Sequence, residues 1–594
     1  MNHRLSRSLV ALMLLSIVAL VVGCAQPRAS APPAAPTVEG AVNRAGVKLP
    51  ADAAPLAKQV MRYAESEAKW LTWDASVYDE NVGDIFSWAD SCIRPDKNFV
   101  PQPNACVKWE TSKDGLNWTF YLDKNKKWSD GKPITADDWV FTLQRYARAG
   151  YDFEWFYGMA NIVNWGDVVS GKKKPEELGA KKVDEYTFTV TTDRPTPYLD
   201  KIFADVWVTP KHIVKDRLND GSWAFDKNNW VFAGPYKLES YTKGKELVYV
   251  ANDKYSGPYP PMIDKIIVSF MDPHARWPAY KNDEVDAIGG GYQADLSPSA
   301  IAEIMASAEL KKQLFSWPNF MTYYLFFDTW NKPFDNLKVR QAFSRAVDRD
   351  KLIEGPLKYQ GIAAYTMNPP GFPGESVKVL KEVQKYDPKL AAKLMEEAGF
   401  RGGKGFPKLT MYLRKADPAL VSAAEAIAGM LKESLGVTVE IQNLDYSLYM
   451  EKLRNQKKTK RGDFIFALVP YEFDFVDGSN MLSPWGGCMK GGVTDLSAMP
   501  GRHTWYNKVF NQLLCDAGSV LGNEAKRNEM YQKAEKILVE DVALVPVYHP
   551  ILVAMVKPDI KGPMFAPDKD GTITWHRHRF TSRESLIYRS TGRR

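Results

Sequence analysis

Few residues in this chain have both the type and the spacing that covalent chemistry needs. A serine nucleophile is usually set on a G-x-S-x-G elbow, zinc hydrolysis on H-E-x-x-H, and a dinucleotide on G-x-G-x-x-G after a strand; none of these occurs. The run from Gly399 to Gly405, GFRGGKG, is one residue short of a Walker A loop and has Gly where Ser or Thr must reach magnesium. Only seven His are present, and His576 and His578 form an H-x-H pair without partner ligands. Carboxylate pairs are common among 71 acids, and none has a glycosidase spacing without a fold to define it. Apart from Cys24, the cysteines are Cys92, Cys106, Cys488 and Cys515. Four cysteines allow three pairings, of which the sequence-local one, Cys92–Cys106 with Cys488–Cys515, closes short loops and suits an oxidising compartment. Free buried thiols and a metal site stay open as alternatives, although CxxC and HxxxH zinc spacing are both missing. The reading assigns no catalytic residue, no cofactor and no metal, and moves the weight from enzyme to binding protein.

The N-terminus indicates where such a protein works. Arg4 and Arg7 precede an apolar run from Leu9 to Val22 that is too short to cross a bilayer of about 30 Å. It ends in Val21-Val22-Gly23-Cys24, which resembles a bacterial lipobox. That resemblance implies a signal peptide over 1–23 and a mature chain lipidated on Cys24; an ordinary secretory signal is the alternative. Residues 24–61 are expected to be a lipid-anchored linker, since 25–38 reads AQPRASAPPAAPTV with no apolar period. No later stretch has 18 consecutive apolar residues, which points to a soluble body tethered outside the cytoplasm. The net charge of +7, from 78 basic and 71 acidic residues, is diffuse and falls short of a nucleic-acid footprint. The tail, 576–594, has six Arg against Glu584 alone and reads as frayed or surface-packed, with contact to anionic lipid as the alternative.

At about 100–200 residues per domain, 594 residues suggest three or four units. Trp118, Phe120 and Leu122 alternate as strand residues do, Ser129 to Lys132 is a turn, and Thr135 with Asp138 forms a capping box for a helix whose Trp139, Val140, Leu143 and Tyr146 face inward. Asp335 is expected to cap a helix carrying Val339, Ala342, Phe343, Ala346 and Val347 on one face. A second helix starts at Asp387-Pro388. Then 409–413 reads as a strand, 418–435 as a helix ended by Gly436, and 437–441 as a strand, which together make a β-α-β unit. Shorter strands at 187–191, 247–250 and 263–270 point to a mixed sheet.

Asn117 to Asp123 (NWTFYLD), followed by Lys127 to Trp139 (KWSDGKPITADDW), resembles the signature of the family 5 extracellular solute-binding proteins, the dipeptide- and oligopeptide-binding components of ABC importers. Ala233 to Leu238, Asn336 to Asp348, Asp387 to Gly399 and Leu544 to Tyr548 resemble later family segments in the same order, so the resemblance covers about Lys69 to Lys561. It implies an α/β, two-lobed periplasmic-binding-protein-like clam (type II, cluster C) with a third, inserted subdomain. Lobe I would comprise 62–98, 203–318 and 541–575, the inserted subdomain 99–202 and lobe II 319–540, with hinges near Trp317-Pro318 and Asp541.

The resemblance also implies a site. Tyr471 to Gly478 (YEFDFVDG) lies where peptide binders carry an aromatic and the aspartate that pairs with the ligand's α-amino group. Asp474 takes that place, with Tyr471, Phe473 and Trp485 as ligand-contacting aromatics. Two alternatives stay open: Asp474 as the cap of the next helix, and Trp485 as a core residue. Gly478 departs from the family's proline. The expected partners are a peptide, a membrane permease and, through Cys24, the bilayer, for a monomer facing the periplasm or cell exterior. An oligosaccharide is the alternative ligand; a nickel chelate, haem or a hydrolase role come after it.

Overall fold

The computed structural model describes residues 40–67, 73–74, 88–96, 99–148, 154–215, 221–289, 296–414, 417–460, 462–488, 502–562 and 587–591. The signal peptide, Cys24 and the His576/His578 pair lie outside the described residues. Residues 40–61, which the sequence places in the linker, are folded: Leu49 is 2% exposed, and Asn43 Nδ2 donates to the Pro261 carbonyl at 2.6 Å.

One mixed sheet runs through both halves of the molecule. Its order is Val439–Leu444, Leu409–Arg414, Phe466–Glu472, Met321–Phe327, Leu544–Val556, Ala287–Gly289, Val60–Glu65, Lys265–Phe270, Glu246–Ala251 and Tyr236–Thr242. Leu314–Pro318 and Gly361–Ala363 also pair with the long Leu544–Val556 strand. The first four strands belong to lobe II and the last five to lobe I; the Leu544–Val556 strand serves both. Its residues 544–548 pair with Met321–Phe327 and its residues 551–555 with Leu314–Pro318. The chain therefore leaves lobe I at Asn319-Phe320 and returns inside this strand, beside Pro550. The return expected at Asp541 is thus about nine residues further along, because the strand enters lobe II first.

Lobe II is built on the β-α-β unit. Leu409–Arg414 pairs in parallel with Val439–Leu444 across the Pro418–Leu435 helix. Asp417 caps that helix by accepting from the Leu420 N–H, Pro418 fills the first turn where no donor is needed, and Gly436 closes it at φ 70°. The closing turn also takes Val437, whose N–H donates to the Leu431 carbonyl at 3.4 Å, so the strand begins at Val439 and not at Val437. The neighbouring Leu337–Ala346 helix is capped by Asn336, which accepts from the Lys338 N–H at 2.9 Å, and not by Asp335.

A separate antiparallel sheet, Cys106–Thr111, Asn117–Leu122, Thr187–Thr191 and Ala180–Asp184, makes the inserted subdomain. Trp118, Phe120 and Leu122 face inward as their alternation predicts, and the Thr135 N–H donates to Asp138 Oδ2 at 2.9 Å in the capping box. Their core also holds Cys92, Phe203, Val206 and Val208, beyond the 99–202 limits read from sequence, and receives Phe475 from lobe II. Disulfides join Cys92 to Cys106 and Cys488 to Cys515.

The basic tail differs from its expectation over 587–591. Ile587 is fully buried, Tyr588–Arg589 pairs with Ile560–Lys561, and the Arg589 guanidinium holds Asp559 and Asp286, each at 2.7 Å. Two buried carboxylates draw this arginine inward, so its charge is spent inside lobe I.

Candidate functional site

Asp474 sits where lobe II meets the inserted subdomain. It follows the Phe466–Glu472 strand, buried along its whole length, and precedes the Gly478–Leu482 helix. Asp477 caps that helix, accepting from the Ser479 N–H at 3.1 Å and the Ser479 hydroxyl at 2.7 Å. Asp474 is therefore not the cap. Its Oδ2 accepts from the Tyr471 hydroxyl at 2.9 Å and from Asn480 Nδ2 at 3.0 Å, while its own N–H donates to Asn480 Oδ1 at 2.8 Å. These bonds fix a carboxylate that is only 9% exposed. Gly478 has a reason to lack a side chain: a Cβ there would run into the Tyr531 ring, which leaves no room for the family's proline.

Burial pushes the Asp474 carboxyl above its usual range, against the pull of Asn480, the Arg502 charge and Tyr471. Two more carboxyls share the region. Glu472 accepts from Asn319 Nδ2 at 2.8 Å, and burial, with the Asp474 charge adding to it, carries it to about 8. Asp205, reached from the other side of the boundary, is raised well above the carboxylate range by burial and then by the charges of Asp474 and Glu472. The Arg502 charge already acts on Asp474, and further positive charge brought among these acids favours their ionised forms.

The aromatic side chains divide. Tyr471 orients Asp474 through its hydroxyl. Phe473 is fully buried, with its ring 5.4 Å from Phe99 and 5.7 Å from Phe320. Phe473 and Asp474 border a cavity of about 20 Å³ together with Phe99, Pro101, Lys201 and Ala204, which is room for about one water. Trp485 is 1% exposed and packs in the core of lobe II, 5.1 Å from Tyr324 and 4.9 Å from His503 between ring centres. It lines neither the cavity beside Asp474 nor the larger one beyond Ser483. Beyond Ser483, whose hydroxyl is 3.2 Å from that of Tyr471, a larger cavity of about 340 Å³ opens, and neither Asp474 nor the three aromatics line it.

The sequence reading missed Asn480, Asp205 and Arg502. Asn480 is the third residue of the next helix, and its type and closeness to Asp474 were the available signal. Asp205 and Arg502 come from distant parts of the chain, and no local pattern marks them.

The subdomain closes directly on this region. Tyr198 stacks on Phe475 at 5.3 Å and 18°, and Lys201 Nζ donates to the Val476 carbonyl at 2.8 Å. Arg527, ion-paired with Asp477, lies 5.7 Å from the Tyr198 ring centre. Among the described residues no helix is long and apolar enough to cross a membrane.

Comparison with known proteins agrees with this architecture. The model of the bacterial extracellular solute-binding proteins, family 5, middle region, matches residues 100–492. The periplasmic oligopeptide-binding protein OppA of Salmonella typhimurium is 30% identical over 500 residues, covering 82% of this chain and 86% of that protein. The murein tripeptide-binding protein MppA of Escherichia coli superposes with a TM-score of 0.73 at 23% identity, over 90% of this chain and 98% of that one. Listeria monocytogenes OppA bound to peptide gives 0.69 at 26% identity, over 90% and 99%. Family match, shared length and two-lobed fold lead to one conclusion: this chain belongs to the family 5 bacterial extracellular solute-binding proteins.

Proposed function

We propose that this protein captures short peptides, anchors their α-amino group on Asp474, and delivers them to the permease of an ABC importer while tethered to the membrane through acylated Cys24. The observation that carries the reading is the Asp474 carboxylate, buried at the lobe boundary and fixed by Tyr471 and Asn480. A fixed, partly dry carboxylate pairs strongly with an ammonium and does little for a neutral ligand. The relatives support the same class of ligand, since Salmonella OppA is named for oligopeptides and Listeria OppA was solved with a peptide. In this reading the energy for transport comes from the importer's own ATPase.

The test is calorimetry with one free and one N-acetylated peptide on the wild type and Asp474→Asn. The substitution keeps shape and hydrogen bonding but removes the charge. Breaking one side of a buried charge pair costs about 2–5 kcal/mol, or roughly 30- to 5,000-fold in affinity. That loss is expected for the free peptide, with a small change for the acetylated one. Equal free-peptide affinities in the two proteins would remove the anchor.

A further inference from the structure

The two disulfides stand in unlike surroundings. Cys92 and Cys106 are wholly enclosed, each 0% exposed. Cys488 and Cys515 are half-buried, and both border the cavity of about 340 Å³ between the inserted subdomain and lobe II. That volume is in the range of small-ligand pockets, about 300–1,000 Å³, and leaves room for a small thiol. The subdomain sends Arg194 into the same cavity, where its Nη1 donates to Cys515 Sγ at 3.5 Å and its Nε is held by Asp193 at 3.2 Å. Cys515 itself is the third residue from the end of the Lys508–Ala517 helix, where the backbone carbonyls disfavour an anion. The guanidinium of Arg194 is the group placed to offset that cost. On the other side of the bridge, the Gly487 N–H donates to Asn511 Oδ1 at 2.9 Å, so the disulfide and this bond together fix one wall of the cavity.

We propose that Cys488–Cys515 is a thiol–disulfide exchange site, open to low-molecular-weight thiols through this cavity and assisted by Arg194. A thiolate entering the cavity attacks Cys488 Sγ. The new sulfur–sulfur bond forms as the Cys488–Cys515 bond breaks, and Cys515 leaves as a thiolate beside the Arg194 guanidinium. A second thiolate then attacks the small-thiol sulfur of the adduct, which releases the oxidised small disulfide and the Cys488 thiolate. One protein disulfide is reduced and two small thiols are oxidised; the protons those thiols lose are taken up by the two cysteines. Exchange is faster where the sulfur is accessible and the leaving thiol has a low pKa, and a neighbouring cation lowers that pKa. Both conditions favour this bridge over Cys92–Cys106, and the second favours attack at Cys488, which leaves the charge next to Arg194. The cavity wall thereby gains a sensitivity to reductant that the enclosed bridge lacks. This site goes beyond the peptide reading and does not depend on it.

The experiment treats the native protein with mercaptoethanol, traps free thiols at intervals with an alkylating agent, and maps the products by mass spectrometry. The proteins are the wild type, Arg194→Met and Arg194→Lys. In the wild type the first adduct is expected on Cys488, with Cys515 recovered as the alkylated thiol. Cys92–Cys106 should exchange slower by about 10-fold or more. Arg194→Met should slow the exchange at Cys488–Cys515 by about 3- to 10-fold, and Arg194→Lys should restore part of the rate. The Arg194 side chain is 22% exposed, which favours folding of both variants. If Arg194→Met does not fold, the wild-type map decides: a first adduct on Cys488 keeps the proposal, and one on Cys515 overturns it. Exchange that occurs only in denaturant, equal rates at the two bridges, or a rate in Arg194→Met equal to or above that of the wild type would each overturn it as well.

Discussion

Asp474, Glu472 and Asp205 bring three carboxyl groups into one dry region, so ligand charge and bound protons are linked there. Before ligand binds, burial carries Glu472 to about 8 and raises Asp474 above its usual range, although the Arg414 and Arg502 charges already pull the other way. A peptide ammonium favours the ionised carboxylates, so binding expels protons. Affinity is therefore expected to rise with pH from about 5 to 8, by up to about tenfold per unit for each proton released. Calorimetry in buffers of unequal ionisation enthalpy reads the release directly. A dissociation constant that does not change across this range, with no proton release, contradicts the linkage. Asp474 is singled out in the sequence only through the resemblance of Tyr471 to Gly478 to a family motif. The sequence leaves Trp485 open between ligand contact and core, because the rings that enclose it, Tyr324 and His503, are not its neighbours in sequence. The same distance hid Asp205 and Arg502.

Among the elements, the Leu544–Val556 strand does most to define the clam, since each half of it belongs to a different lobe. The family resemblance placed the domain change near Asp541, just before this strand begins. In the fold, Pro546 pairs with Tyr324 at a register shift and Pro550 marks the crossing, both places where a missing N–H donor is tolerated. The β-α-β unit was far easier to read: its apolar helix face, Asp417-Pro418 start and Gly436 stop are all local signals. The disulfides act at this scale as well. Cys92–Cys106 ties the start of the subdomain sheet to the chain entering it, and Cys488–Cys515 fastens the Lys508–Ala517 helix to the segment after Trp485. Loops of 14 and 27 residues correspond to about 2–4 kcal/mol each. Replacing either pair by serine should lower the free energy of unfolding by that amount, read from denaturant titration, and non-reducing peptide mapping should recover both bridges. Two titratable thiols at either pair in the native protein would contradict the assignment.

In the whole molecule, the inserted subdomain closes on lobe II through the Tyr198–Phe475 stack, the Lys201 bond to Val476 and the contact of Phe99 with Phe473. These contacts lie on both sides of Asp474, so ligand capture and lobe closure are expected to be one event. Peptide should reduce the radius of gyration in solution scattering, and Tyr198→Ala, which removes one aromatic pair, should weaken binding by about 2- to 10-fold. A radius unchanged by peptides that bind would speak against a closing clam. The expectation of closure rests on the family resemblance and the two chain crossings between lobes, because Tyr198 and Phe475 are far apart in the chain and neither stands in a recognisable motif. Peptide capture itself is tested most directly by native mass spectrometry of the protein purified from its own host. The account predicts a co-purifying set of peptide masses that is depleted in the Asp474→Asn variant; a sugar mass, or an identical set of masses from the variant, would contradict it.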